Sequence, residues 1–197
     1  ERFVPTPERM VLFERMRAEL AAALPPDGTL VELGIGPGYL AEYLLAALPQ
    51  VRYLGVDFSR PMLELAGKRL RAHGPRLGLV RADLLHDDDA WWQRIPEPVG
   101  AVVTTWSLHD LGSQANVAAV YRSCARRLNP GGMLLNGDFI KPEATAHEFE
   151  AGRFEIDRHL ELLRDAGFAQ AECLLVLEPE VEVPTPAQNY ACFKAVR

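Results

Sequence analysis

A doubly wound α/β fold, with seven strands mostly parallel and the last one antiparallel, is what this 197-residue chain predicts. Three observations carry that expectation. An apolar run, Thr29-Leu30-Val31, feeds a loop with glycine at every second position (Gly34, Gly36, Gly38), and Leu40, Leu44, Leu45 and Leu48 follow at helical spacing. Short apolar runs then alternate with amphipathic helical stretches to about residue 138, the pattern of a parallel sheet covered on both faces. The chain closes differently, with two strands joined by a turn carrying Pro179, Pro184 and Pro186. A connection too short for a crossover helix forces that pair antiparallel.

The elements follow in order. Met10, Phe13, Arg17, Leu20 and Leu24 mark an N-terminal helix over 8–23, ended by Pro25-Pro26. Strands are predicted at 29–33, 51–56, 77–82, 99–105 and 132–138, with helices at 39–48, 60–72, 88–94 and 114–128 between them. Ser59 and Pro61 suit the cap and first turn of the 60–72 helix. The acidic run Asp87-Asp88-Asp89 suits the solvated start of the next. Trp91 and Trp92 are adjacent there, so one ring at most should face the core. In the 114–128 helix Val117, Val120, Tyr121, Cys124 and Leu128 share a face, and Asn129-Pro130-Gly131-Gly132 stops it. A helix at 155–166, closed by Gly167, leads to strands at 173–177 and 189–196.

Composition narrows the function. Hydrophobic residues make up 48% and charged residues 24%, which suits one domain with ample core. No apolar stretch approaches the ~20 residues of a membrane span. The start, Glu1-Arg2-Phe3-Val4-Pro5, lacks a signal-peptide pattern. Cys124, Cys173 and Cys192 are scattered and odd in number, read as buried thiols of a cytoplasmic protein. A net charge of −6 argues against nucleic acid as a partner. Arg69-Arg71 and Arg126-Arg127 read as solvated helix faces. His147 and His159 are too isolated for a metal site. No G-x-S-x-G elbow or G-K-[ST] phosphate loop occurs.

The glycine loop selects a ligand by its spacing. A dinucleotide fingerprint wants G-x-G-x-x-G, and Tyr39 stands where its third glycine would fall. With Glu32 two positions before Gly34, the stretch reads E-x-G-x-G-x-G. It resembles the first motif of the class I S-adenosylmethionine-dependent methyltransferases, whose Rossmann-like sheet ends in an antiparallel strand. Ser107-Leu108-His109 resembles the S-x-H stretch of members acting on small molecules, and Pro130-Gly131-Gly132 the turn before the fifth strand. The resemblance covers about residues 28 to 140 well and the tail loosely.

That resemblance implies S-adenosyl-L-methionine as cofactor, S-adenosyl-L-homocysteine as product and a small-molecule acceptor. It assigns Asp57, 19 positions after Gly38, to the adenosyl ribose, Phe58 to the adenine face, and Asp83 and Leu84 to the adenine edge. Gly34, Gly36 and Gly38 would approach the cofactor by backbone, with Thr105 and Ser107 at its amino-acid end. Glu32 would offer the sulfonium a negative surface. His109 is the candidate base or acceptor-orienting group, with a bracing hydrogen bond as the alternative; Asp110 reads as a helix-start acid. Asp138 and Phe139 would border the acceptor pocket, and the polar stretch 139–154 reads as a lid, an acceptor loop or an ordinary surface connection. No N-P-P-Y or D-P-P-Y stretch follows the fourth strand, which further lowers the nucleic-acid reading. The alternative function is a non-catalytic adenosyl-binding or scaffold domain on the same fold. The N-terminal helix, residues 1–26, would cap the cofactor or pack on a neighbour.

Overall fold

The computed structural model describes residues 4–86, 90–142, 149, 151–177 and 189–197. Asp87-Asp88-Asp89, His147, Glu148, Glu150 and the proline turn at 179–186 lie outside them. Seven strands form one sheet in the order β3-β2-β1-β4-β5-β7-β6. They are β1 (Thr29–Leu33), β2 (Arg52–Asp57), β3 (Leu77–Arg81), β4 (Val99–Thr105), β5 (Leu128–Phe139), β6 (Gln170–Leu177) and β7 (Tyr190–Val196). The helices are α1 (Pro7–Ala23), α2 (Tyr39–Ala47), α3 (Arg60–Arg69), α4 (Gln114–Arg127) and α5 (Ile156–Asp165). The expected fold class and its antiparallel ending are what the chain adopts. Two compact units divide it, Glu1–Val103 and Thr104–Arg197.

In the first unit β1 pairs parallel with β2, and β2 with β3. All five residues of β1 are buried, which its unbroken apolar run requires of a central parallel strand. Gly55 and Gly78 serve packing. A Cβ at Gly55 would run into Ile35 Cδ1 and one at Gly78 would meet Leu54 Cδ2 at 2.7 Å. The bare backbone of β2 at Gly55 therefore receives Ile35, the apolar residue inside the glycine loop. Helix α1 begins on a Thr6 cap and buries Leu12, Phe13, Met16 and Leu20. Met10 is exposed and Arg17 pairs with Glu14, so the inward face is rotated from the one the sequence suggested. Phe13 meets Tyr43 of α2 with ring centroids 5.9 Å apart.

The two tryptophans overturn an expectation. Trp91 and Trp92 are both 2% exposed, their rings stacked with centroids 4.1 Å apart. They sit on a short 3₁₀ turn, Ala90–Arg94. The one-face argument holds for an α-helix lying on a core from one side, and these residues form a short 3₁₀ turn instead.

In the second unit α4 is followed at once by β5, which starts at Leu128, earlier than expected. The Pro130-Gly131-Gly132 turn is part of that strand end, where Gly131 N–H donates to Arg197 O and Arg197 N–H to Gly132 O. β7 lies between β5 and β6, antiparallel to both. The core holds a polar chain: Asn136 donates to Tyr121 Oη at 2.8 Å, and Tyr121 Oη lies 3.0 Å from His159 Nδ1. His159 is stacked between Phe154 and Phe193, and burial lowers its pKa to about 4, so it packs as a neutral ring. Cys124 and Cys192 are buried as expected; Cys173 is only half-buried.

Candidate active site

The glycine loop is built by backbone. Gly34, Gly36 and Gly38 all have positive φ, and Gly38 in the left-handed region opens α2. At Gly36 a Cβ would meet nothing within 4 Å, so that position is glycine for its φ of 52° and its outer face is open. A Cβ at Gly38 would instead press on Leu70 and Ala66 at 3.2–3.4 Å. The loop is pinned to β2, since Gly34 and Ile35 N–H both donate to Val56 O.

Asp57 joins the loop to the strand end. Its Oδ2 accepts from Gly36 N–H and its Oδ1 from Ser59 N–H, each at 2.8 Å. Each carboxylate oxygen keeps a further lone pair for a ligand hydroxyl. Phe58 beside it is 70% exposed, a bare aromatic face at the same strand end. Asp83 folds into its own turn, accepting from Leu85 N–H at 2.9 Å and pairing with His86 at 2.9 Å. The Leu85 N–H, more than His86, holds the Asp83 pKa below its ordinary value. Leu84 lies in that turn, half-buried.

Glu32 departs from expectation. It is 1% exposed and accepts from Tyr53 Oη at 2.7 Å. Burial, with the Asp57 charge adding to it, raises its pKa to about 8 against the lowering effect of the Tyr53 bond. Near neutral pH it is mostly a protonated, buried acid and offers no negative surface. Arg69 also differs from its reading as a solvated face. Its Nε donates to Pro37 O at 2.9 Å, its Nη1 to Glu42 at 3.1 Å, and its guanidinium lies 3.7 Å from the centroid of Tyr39. Three contacts from one side chain brace the outer wall of the glycine loop, and the signal for it was Tyr39, an aromatic where a third dinucleotide glycine would stand.

His109 lies in the second unit, on a 3₁₀ turn, Leu108–Leu111. Its Nδ1 is 2.7 Å from Asp138 Oδ1 and its backbone N–H donates to Asp138 Oδ2 at 3.0 Å. Its Nε2 is 3.3 Å from the exposed Asp110 carboxylate. Asp138, at the end of β5, is 1% exposed. The imidazole meets Phe139 edge-on at 4.9 Å, and Tyr190 lies edge-on to Phe139 and to Trp106. Arg153 places its guanidinium 4.3 Å from the Phe139 centroid. Burial lowers the imidazolium's pKa, Arg153 adds to that, and the bond and charge of Asp138 with the charge of Asp110 outweigh both. The net shift is upward. Thr105 ends β4 and Ser107 opens the turn without capping it. Of the 139–154 stretch, Lys141 N–H donates to Phe154 O, and Gly152 lies so close that a Cβ would run into His109 O. Sequence reasoning placed Asp138 at the pocket border but missed it as partner of a histidine 29 residues away. No group of three or more metal-binding side chains forms among the described residues.

The chain matches a family model described as a methyltransferase domain over residues 30–132, just over half its length. It belongs to the class I S-adenosylmethionine-dependent methyltransferases. Among this family's curated members, trans-aconitate 2-methyltransferase of Azoarcus sp. (strain BH72) is 34% identical over 125 residues, 61% of this chain and 44% of that protein. Ribosomal RNA small subunit methyltransferase H of Mycobacterium sp. (strain KMS) is 35% identical over 108 residues, 52% of this chain and 28% of that one. The chain spans less than half the length of these relatives. Among solved methyltransferases, the carbon methyltransferase CurJ superposes with a TM-score of 0.74 at 19% identity, over 97% of this chain and 55% of that one, a likeness of fold. No helix among the described residues is long and apolar enough to cross a membrane.

Proposed function

We propose that this methyltransferase domain binds S-adenosylmethionine at the glycine loop and catalyses methyl transfer to a small-molecule acceptor in the cytoplasm. The observation that carries the donor side is the Asp57 carboxylate, held by Gly36 and Ser59 N–H with a lone pair left on each oxygen. The open face at Gly36 and the exposed Phe58 ring fit a ribose and a purine there. Bound S-adenosylmethionine supplies a methyl group already activated on a sulfonium, so the chain's task is to position two partners and exclude water. Asp57 orients the donor; Arg69 and Val56 O keep the loop rigid against it. His109 orients the acceptor or takes its proton.

The relatives include enzymes named for ribosomal RNA and for a small acid, so the acceptor class rests on this chain. Its net charge of −6 is poor for phosphate backbones, whose binding depends on neutralising Lys and Arg. Titration calorimetry with S-adenosylhomocysteine is the test. Binding in the micromolar range is expected, and no heat at millimolar ligand would remove both the enzyme and the adenosyl-binding scaffold readings. Binding without turnover on any small molecule, but with turnover on RNA, would move the acceptor to nucleic acid.

A further inference from the structure

We infer that the outer side of α3, with the 3₁₀ turn Arg71–Arg76 and the edge strand β3, is a docking surface for a short acidic amphipathic helix of a partner protein. The surface belongs to the first unit alone and stands apart from methyl transfer. Charge is spread unevenly along the chain. Residues 52–81 hold seven Lys and Arg against two Asp and Glu, a net +5 in a chain of net −6, so the remainder carries −11.

The fold gathers these cations at one edge of the sheet. β3 is the outermost strand beside β2, the turn Arg71–Arg76 leads into it, and α3 packs on both strands. Arg52, Arg60, Lys68, Arg71 and Arg81 are all exposed. Two of the seven cations are already matched, Arg60 by Glu64 and Arg69 by Glu42, each at 3.1 Å. Arg52, Lys68 and Arg71 make no hydrogen bond or ion pair among the described residues. Arg81 gives one N–H to Phe58 O, and exposed Arg94 gives one to Arg81 O; neither meets a carboxylate. Arg76 donates to the carbonyls of Leu45, Leu48 and Val51, which fixes the turn that presents Arg71 beside the start of β2 and Arg52. Helix α3 is thinly covered: of its ten residues only Ala66 is buried. Pro61, Glu64, Leu65 and Lys68 are exposed at i, i+3, i+4 and i+7, so one side faces outward along the helix, with Leu65 48% exposed at its middle.

Size and composition select the occupant. A nucleic-acid strand or an anionic bilayer carries its charge well past this patch, onto a molecule whose remainder is −11, and repulsion acts within a Debye length of about 8 Å. A short acidic helix meets the patch alone. Ten helical residues span about 15 Å, the length of α3 itself. Six of the seven cations are Arg, the charged residue that protein interfaces enrich while they deplete Lys. An exposed leucine among them suits an apolar contact ringed by charge, which a phosphate chain does not use. Carboxylates along one side of the partner helix then face Lys68, Arg71 and Arg52, and an apolar residue between them covers Leu65.

The test is an NMR titration of the full chain with defined anions. The probe is a synthetic capped helical peptide with Glu at i, i+4 spacing and Leu between. A twin with Gln in place of every Glu, a single-stranded oligouridylate and phosphatidylglycerol vesicles stand beside it. The acidic peptide should move backbone amide signals within 60–81, and the Gln twin should move none. The triple variant Arg52→Glu, Lys68→Glu, Arg71→Glu should weaken the peptide roughly tenfold or more. Leu65→Ser should weaken it about threefold, because the apolar contact goes with the side chain. Melting temperature and S-adenosylhomocysteine affinity of each variant, unchanged from wild type, separate lost docking from lost fold. If the triple variant fails to fold, the Gln twin and Leu65→Ser still decide. No signal change, changes outside 60–81, or equal binding of the Gln twin overturns the proposal. Undiminished binding by Leu65→Ser, or tighter binding of the oligouridylate or the vesicles, also overturns it, since the surface would then hold anions by charge alone. Failure of the wild type to bind S-adenosylhomocysteine would overturn the methyltransferase reading and leave this surface untouched.

Discussion

Glu32 shows how one side chain can carry a family motif and yet play a different part from the one its charge suggests. As a carboxylate it would attract a sulfonium. Sealed at 1% exposure beneath Tyr53, with a pKa near 8, it is instead a hydrogen-bonded structural acid. Its titration has a definite sign. The folded state keeps the proton between about 4.5 and 8, while the unfolded chain releases it, so this group's contribution to stability falls as pH rises through that window. Glu32→Gln keeps the acceptor for Tyr53 and removes the ionisation. Its melting temperature should match the wild type near pH 4.5 and exceed it at pH 8, by an amount corresponding to as much as a few kcal/mol. Thermal denaturation across that range checks it, and a constant offset would deny the buried ionisation. Sequence could identify Glu32 by its place before Gly34, but its burial state depends on β2 bringing Tyr53 over it.

At the scale of elements, the fold was legible because strand and helix periods differ and the glycine loop and proline turn punctuate them. Bounds came within a few residues for most elements. The exceptions have local causes: Trp91 and Trp92 sit on a 3₁₀ turn to which α-helical face counting does not apply, and β5 absorbs the Pro130-Gly131-Gly132 turn through bonds to Arg197. The site was legible in part. Asp57 ends β2 and His109 lies on the turn that follows β4, at the strand ends where parallel sheets place their chemistry, whereas the Asp138 bond and the Arg69 brace cross 29 and 32 residues and leave no local pattern. Gly152 is the same kind of feature. Its backbone lies on the His109 carbonyl, and a Cβ would run into that oxygen. Because the obstacle is backbone, it yields only by moving the turn. Gly152→Ala should therefore displace His109 and cut kcat at least tenfold, with S-adenosylhomocysteine affinity unchanged within about twofold. Kinetics and calorimetry on the same preparation decide it. A normal kcat would mean that the 151–154 segment moves instead of the turn.

For the whole molecule, the division into Glu1–Val103 and Thr104–Arg197 sorts the chemistry. Glu32, the loop glycines, Asp57, Phe58, Asp83 and Leu84 fall in the first unit; His109 and Asp138 fall in the second, with Thr105 and Ser107 just past the division. Donor binding and acceptor activation should then separate by mutation. A ligand that binds only the folded state stabilises it by about 2.7 kcal/mol at a hundred times its dissociation constant. For a chain of this length that is a rise in melting temperature of about 5–10 °C. Wild type and His109→Gln should both show the rise with S-adenosylhomocysteine, while His109→Gln is expected to lose turnover. Asp57→Ala should lose most of it, because a carboxylate that accepts ligand hydroxyls contributes about 1.5–3 kcal/mol per bond. Its own unliganded melting temperature must be measured beside it, since the bonds to Gly36 and Ser59 go with the side chain. A full rise in Asp57→Ala would take the ribose away from this residue. A lost rise in His109→Gln would mean that donor binding extends to the S-x-H turn, and the two functions would then share one set of residues.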